Sequence, residues 1–122
     1  MDTRSDNMEL KSHRWIEWED FSKVEMRVGT IIEAEFFKEA RKPALKVKVD
    51  FGDMGIKKSS AQITDLYEPL DLLGRQVVAV VNFRPKQIAN FMSECLILGV
   101  MGSEEVVLLQ PDRKVTNGLR IG

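Results

Sequence analysis

The stretch LKVKVDF, Leu45–Phe51, constrains the fold more than any other part of the 122-residue chain. Leu45, Val47, Val49 and Phe51 alternate with Lys46, Lys48 and Asp50. A period of two places the apolar set on one face of a strand and the polar set on the other. Upstream, Val24, Met26 and Val28 alternate with Glu25 and Arg27 and run through Gly29 into TIIEAEFF. That pattern predicts a long strand, with Gly29 supplying a bend or bulge.

After the turn GDMG, residues 55–63 read as a third strand with a polar middle. In YEPLDLLG, Pro69 near the start and Gly74 at the stop predict a short helix over Glu68–Leu73. Gln76–Val81 is apolar from Val77 onward and rich in β-branched valine, as a central strand should be. Leu96–Met101 and Val106–Leu109 follow, and the tail carries an Asn117–Gly118 turn. Residues 1–14 read as a flexible polar leader and 15–122 as one domain, opened by a helical turn in WIEWEDFSKVEM. The expected fold class is all-β. Short strands at close spacing suggest a five-stranded OB barrel, closed so that no edge stays exposed, with one short helix between strands 3 and 4. An open α+β sandwich is the alternative.

Several function classes fall away. The longest apolar run, Val77–Val81, is far below the roughly 20 residues that span a bilayer, so no membrane insertion is expected. The N-terminus has no signal-peptide core, which reads as cytoplasmic. One cysteine, Cys95, excludes an internal disulfide and a Cys-rich zinc site. The single histidine, His13, sits in the leader, so a Cys–His nucleophile has no support. Cys95 reads as a small side chain packed at a strand start. No paired carboxylates, metal cluster or phosphate loop appears, so neither an enzyme nor a cofactor or metal is expected.

A net charge of −1 conceals segregation. Residues 41–60 hold six basic and two acidic side chains, and residues 75–92 three basic and no acidic ones. The insert between two apolar strands, NFRPKQIANFMSE, combines Asn82, Arg84, Lys86, Gln87 and Ser93 with Phe83, Ile88, Phe91 and Met92. Asn82, at a strand end, either offers donors and an acceptor to a nucleobase edge or satisfies a loop backbone. With Lys57, Lys58, Ser60 and Gln62 facing them, these residues have the chemistry to hold phosphates and read bases, most readily those of single-stranded RNA. Lys46 and Lys48 read instead as a solvated face. The apolar set Phe83, Ile88, Phe91 and Met92 supports a different reading, a groove for extended peptides. Trp15, Ile16, Trp18 and Phe21 either cap the core or cover a partner subunit.

FSKVEMRVGTIIEAE (Phe21–Glu35), LKVKVDFG, KKSSAQIT, LGRQVVAVVNFRP, SECLILG and VVLLQPD together resemble the OB-fold tRNA-binding domain appended to some methionyl- and phenylalanyl-tRNA synthetases, itself similar to EMAP II. SSAQIT, VVAVVNF and VVLLQPD most resemble its free-standing CsaA branch. Cys95 and Phe83 depart from the synthetase-appended pattern, which tends to have methionine and leucine there. The resemblance implies a homodimer that binds tRNA and assists unfolded or export-bound polypeptides, and with them the export machinery. Trp15, Ile16, Trp18, Leu119 and Ile121 are the candidate dimer contacts.

Overall fold

The computed structural model describes residues 14–122; the leader up to His13 lies outside them. A short helix, α1 (Trp18–Ser22), precedes β1 (Met26–Phe36), β2 (Leu45–Asp50) and β3 (Ile56–Ala61). Helix α2 (Pro69–Leu72) leads into β4 (Gln76–Val80). Then come β5 (Lys86–Ile88), β6 (Phe91–Ser93), β7 (Leu96–Ile97), β8 (Gly99–Met101) and β9 (Val106–Leu108). An antiparallel sheet in the order β3-β2-β1-β4-β7 forms a nearly closed barrel of the OB type, as the sequence predicts. Two small hairpins, β5–β6 and β8–β9, are attached to it.

The long β1 makes this topology possible. Its first half, Met26–Thr30, pairs with β4, and Thr30–Phe36 pairs with β2, so one strand serves both halves of the barrel. The register shifts between Ile31 and Glu33. The irregularity is therefore not at Gly29, where the sequence suggested it. Gly29 answers a packing demand: a Cβ there would lie 2.5 Å from Val49 Cγ1 and 2.8 Å from the Phe51 ring. Along β1 and β2 the polar faces pair as well, Lys48 with Glu33 and Lys46 with Glu35, both at 3.4 Å.

Inside the barrel lie Ile31, Leu45, Val47, Val49, Phe51, Ala61, Ile63, Leu72, Val77, Ala79, Cys95 and Leu108. All four apolar positions of LKVKVDF are buried. Val77–Val80 are buried on both faces, as an unalternated run implies. Helix α2 is one turn with Glu68 at its N-cap: the Glu68 N–H donates to the Asp71 carboxylate at 3.0 Å, and Gly74 beyond its end takes φ +82°.

The C-terminal tail is a strap along the free side of β1. Gly118 N donates to Val28 O (2.7 Å), Val28 N to Leu119 O (3.0 Å) and Ile121 N to Met26 O (2.9 Å). Gln76 fixes the strap's approach, donating to Val115 O at 2.7 Å and accepting from Val115 N at 3.1 Å.

Replacing Gly29 with alanine should overpack the barrel and lower stability by about 1–3 kcal/mol. Denaturant midpoints of the two proteins check this; an unchanged midpoint would show that Val49 and Phe51 can yield.

Candidate nucleic-acid interface

The insert that most distinguishes the sequence folds into the β5–β6 hairpin, turned by Ala89 and Asn90, with Lys86 opposite Ser93, Gln87 opposite Met92 and Ile88 opposite Phe91. Opposed residues share a face. Lys86, Ile88, Phe91 and Ser93 thus point one way, and Gln87 and Met92 the other. The hairpin is mounted on β3 by unusual bonds: Ser60 N donates to Ser93 Oγ (3.2 Å), Lys58 N to Glu94 Oε1 (2.8 Å) and Glu94 N to Lys58 O (2.7 Å). Buried Ser59 adds a bond from its hydroxyl to Cys95 O at 2.8 Å.

This mounting brings Lys57–Gln62 beside Asn82–Ser93, the juxtaposition the sequence anticipates. A groove of about 500 Å³ is lined by Asn82, Phe83, Arg84, Lys86, Ser93, Glu94, Cys95 and Leu96. A second, of about 700 Å³, is lined by Ser60, Gln62, Lys86, Gln87, Ile88 and Ala89 on one side and residues 39–42 with Ala44 on the other. Lys86 borders both. Arg41 and Lys42 were missed as interface candidates: on sequence they belong to a generic basic block, and only the fold carries their loop to the hairpin.

The individual residues divide. Lys58 and Ser60 occupy the outer face of β3, while Lys57 shares the inward face with buried Ser59 and Ala61 and lies near Cys95. Asn82 is engaged by the chain itself, accepting from Glu25 N at 3.0 Å and donating to Lys23 O at 2.7 Å. The loop-backbone role is the one observed, and one amide N–H is left over. Ser93 likewise accepts from Ser60 N, and the Gln87 amide nitrogen donates to Ala89 O at 2.8 Å, leaving its oxygen open. Among the described residues, no ion pair involves Lys57, Lys58, Arg84 or Lys86.

The apolar candidates do not form a single groove within one protomer. Phe83 (59% exposed) lines the first groove and Ile88 the second. Phe91 packs edge-on against Phe37 with centroids 5.4 Å apart, and its ring lies 5.3 Å from Lys58 Nζ and 5.7 Å from Lys46 Nζ. Met92 points from the opposite face of the hairpin. Tyr67 is stacked under Arg75 at 5.2 Å, and its hydroxyl accepts from Leu108 N. Of Phe83, Phe91 and Tyr67, Phe83 alone offers an open ring.

The dimer candidates sit together at one end. Arg120 donates to Ser22 O at 3.0 Å, which joins the strap to α1. Trp15, Ile16 and Trp18 are 66–75% exposed, Leu119 is half exposed and Ile121 is partly buried. Helix α1 buries no residue against the described core, so core capping is not its role.

A small antiparallel barrel with a basic, polar hairpin mounted on its third strand defines an OB-type binding module. The chain belongs to the tRNA-binding domain family and is of the CsaA type: residues 26–120 match the family described as "Putative tRNA binding domain". It is similar to the crystal structure of the chaperone CsaA from Bacillus anthracis, with 52% identity and a TM-score of 0.84 over 88% of this chain and 99% of that one. Similarity to the CsaA chaperone from Picrophilus torridus is comparable, at 51% identity and a TM-score of 0.83 over 88% and 100%. A curated methionine–tRNA ligase from Helicobacter pylori is 38% identical over 89% of this chain. The chain spans only 14–17% of the length of such ligases. Among the described residues, no helix is long and apolar enough to cross a membrane.

Burial pushes the Cys95 thiol up from 9.0 to about 11, against the opposing pull of the Ser59 hydroxyl and Lys57. The neutral thiol is thus the folded form's state at neutral pH. Because the folded value exceeds the unfolded one, its stabilising contribution is complete below pH 9.0 and is lost as pH rises through about 11. Native protein at pH 8 should label with a thiol-alkylating reagent far more slowly than denatured protein; equal rates would contradict the burial.

Proposed function

We propose that the chain is a non-catalytic, cytoplasmic homodimer that binds tRNA on the face built from Lys57, Lys58, Ser60, Gln62, Asn82, Arg84, Lys86, Gln87 and Ser93, with no cofactor. The observation that carries this reading is the meeting of two grooves at Lys86, flanked by cations with no ion pair among the described residues. Lys58, Arg84 and Lys86 take phosphates, with Lys57 adding charge from the barrel end. Ser60, Gln62 and Gln87 supply neutral hydrogen bonds, while Asn82 and Ser93 hold the groove walls in place. The family match supports tRNA as the ligand. With a pI near 5.9 the molecule has no bulk positive charge, so recognition depends on this patch. A second protomer joined through Trp15, Ile16, Trp18, Leu119 and Ile121 would present a second patch and add avidity.

Three or four neutralised phosphates give a log–log salt slope of roughly −2 to −3, or a 20- to 50-fold loss of affinity between 50 and 200 mM salt. Lys57→Glu/Lys86→Glu should bind about tenfold more weakly or worse, with a shallower slope. Titration against total tRNA, on samples whose sedimentation also reports the dimer, checks both. No detectable binding by the native protein at low salt ends the reading.

The exposed apolar surface favours a second activity, holding unfolded or export-bound polypeptides and presenting them to the export machinery. Phe83 and Leu96, 59% and 47% exposed, give the first groove an apolar wall beside Arg84 and Glu94. The similarity to the two CsaA chaperones supports it. Phe83→Ser should weaken suppression of a client's aggregation with little change in stability. Equal suppression by both proteins, or none by the native one, would remove that groove from the activity.

A further inference from the structure

We infer that Asn117–Gly118 is a gated modification site: succinimide closure is blocked while the C-terminal strap is docked on β1, and strap detachment opens the pair to deamidation. An Asn-Gly pair is the one in which this closure meets least steric resistance, because glycine places no side chain beside the attacking nitrogen. Solvent supplies everything the step needs. The Gly118 nitrogen gives its proton to hydroxide and attacks Asn117 Cγ. A C–N bond forms, the bond to Nδ2 breaks, and Nδ2 leaves as ammonia with a proton from water. A second water opens the ring at either carbonyl, leaving aspartate or an isoaspartyl linkage at position 117.

In the docked strap both reacting groups are held by distant parts of the chain. Gly118 N donates to Val28 O at 2.7 Å, so its proton is engaged. Asn117 Oδ1 accepts from Thr30 Oγ1 at 2.8 Å and from Gln76 Nε2 at 3.0 Å. Swinging the carboxamide onto its own backbone breaks both bonds. Arg27 Nη1 donates to Gly118 O at 3.0 Å and fixes the next peptide. Space is closed as well: a Cβ on Gly118 would lie 2.5 Å from Phe51 O, and one on Gly52 2.6 Å from Asn117 O.

The two products differ in whether they fit. Aspartate keeps an oxygen to accept from Thr30 and Gln76 and leaves the backbone unaltered. An isoaspartyl linkage routes the main chain through Cβ and Cγ and so adds one methylene. Val115, tied to Gln76, then falls out of step with Leu119 and Ile121, tied to Val28 and Met26. The close approach of Phe51 and Gly52 leaves no slack at that point. Deamidation by this route converts a reversible opening of the strap into a lasting one.

The test follows the full chain at pH 8, in buffer and in denaturant, with site and linkage assigned by tandem mass spectrometry. Native protein should deamidate at Asn117 roughly tenfold or more slowly than unfolded protein, a factor set by the free energy of local opening. That retardation should equal the hydrogen-exchange protection of the Gly118 amide, since both need the same opening. Gln76→Ala, which frees Val115 and Asn117 together, should raise both rates in parallel. Thr30→Val, which removes one bond, should raise them less. Isoaspartyl protein, separated chromatographically, should have lost protection at the Val28 and Ile121 amides. Asn117→Asp should keep that protection and melt with the native protein. Equal deamidation rates in native and unfolded protein overturn the gate, as does a deamidation rate unmoved by Gln76→Ala while Gly118 exchange quickens. Protection retained by the isoaspartyl protein, or lost in Asn117→Asp, overturns the account of the products. No deamidation at Asn117 even in unfolded protein removes the site.

Discussion

The barrel closes through bonds that an ordinary strand ladder does not supply. Where β3 would present an open edge, residues 93–95 lie against it, and three serine and glutamate side chains replace part of the missing ladder. An open strand edge is a template for unwanted pairing. Here it is sealed by Ser93 Oγ, the Glu94 carboxylate and the buried Ser59 hydroxyl. The same bonds orient the β5–β6 hairpin, so closing the fold and building the interface are a single structural event. Both grooves border this seam, and neither would keep its shape if the seam opened.

Charge is sorted by the sheet. On the outer face of β1 and β2, Glu33 and Glu35 stand across from Lys48 and Lys46, and each pair is close enough for an ion pair. Exposed pairs of this kind contribute little to stability. Their effect is to leave that face neutral. On β3 and the hairpin no acid faces Lys58, Arg84 or Lys86 in this way, and Glu94 is turned toward the Lys58 amide. An acidic protein thereby shows a localised positive surface, which steers a polyanion more than its net charge suggests.

How much of this was legible depended on how local each cause was. The β2 alternation, the β4 run and the short helix expected over Glu68–Leu73 each follow from side chains within a few residues of one another, and all appear in place, the helix spanning Pro69–Leu72. The β5–β6 hairpin was read only as a polar insert. Its strands are three residues long and its turn is Ala89–Asn90, with Ala89 at φ +50° where a glycine or asparagine is usual. Leu96–Met101 looked like one strand, yet after pairing with β4 the chain crosses at Leu98 to form a hairpin with β9. Asn82 was ambiguous because its partners, Lys23 and Glu25, are 59 and 57 residues away. The position of Arg41 and Lys42 beside the hairpin was hidden for the same reason: their neighbours Lys86–Ala89 across the groove come from the other half of the chain.

The Phe91 ring, wedged between Phe37 and the ammonium groups of Lys46 and Lys58, has a further implication. Ammonium groups are drawn to an aromatic face, so this ring anchors two long, otherwise wandering tethers. An uncharged residue thereby helps shape the electrostatic potential of the surface. Swapping it for an aliphatic side chain would alter no formal charge, yet it would blur where the field is strongest.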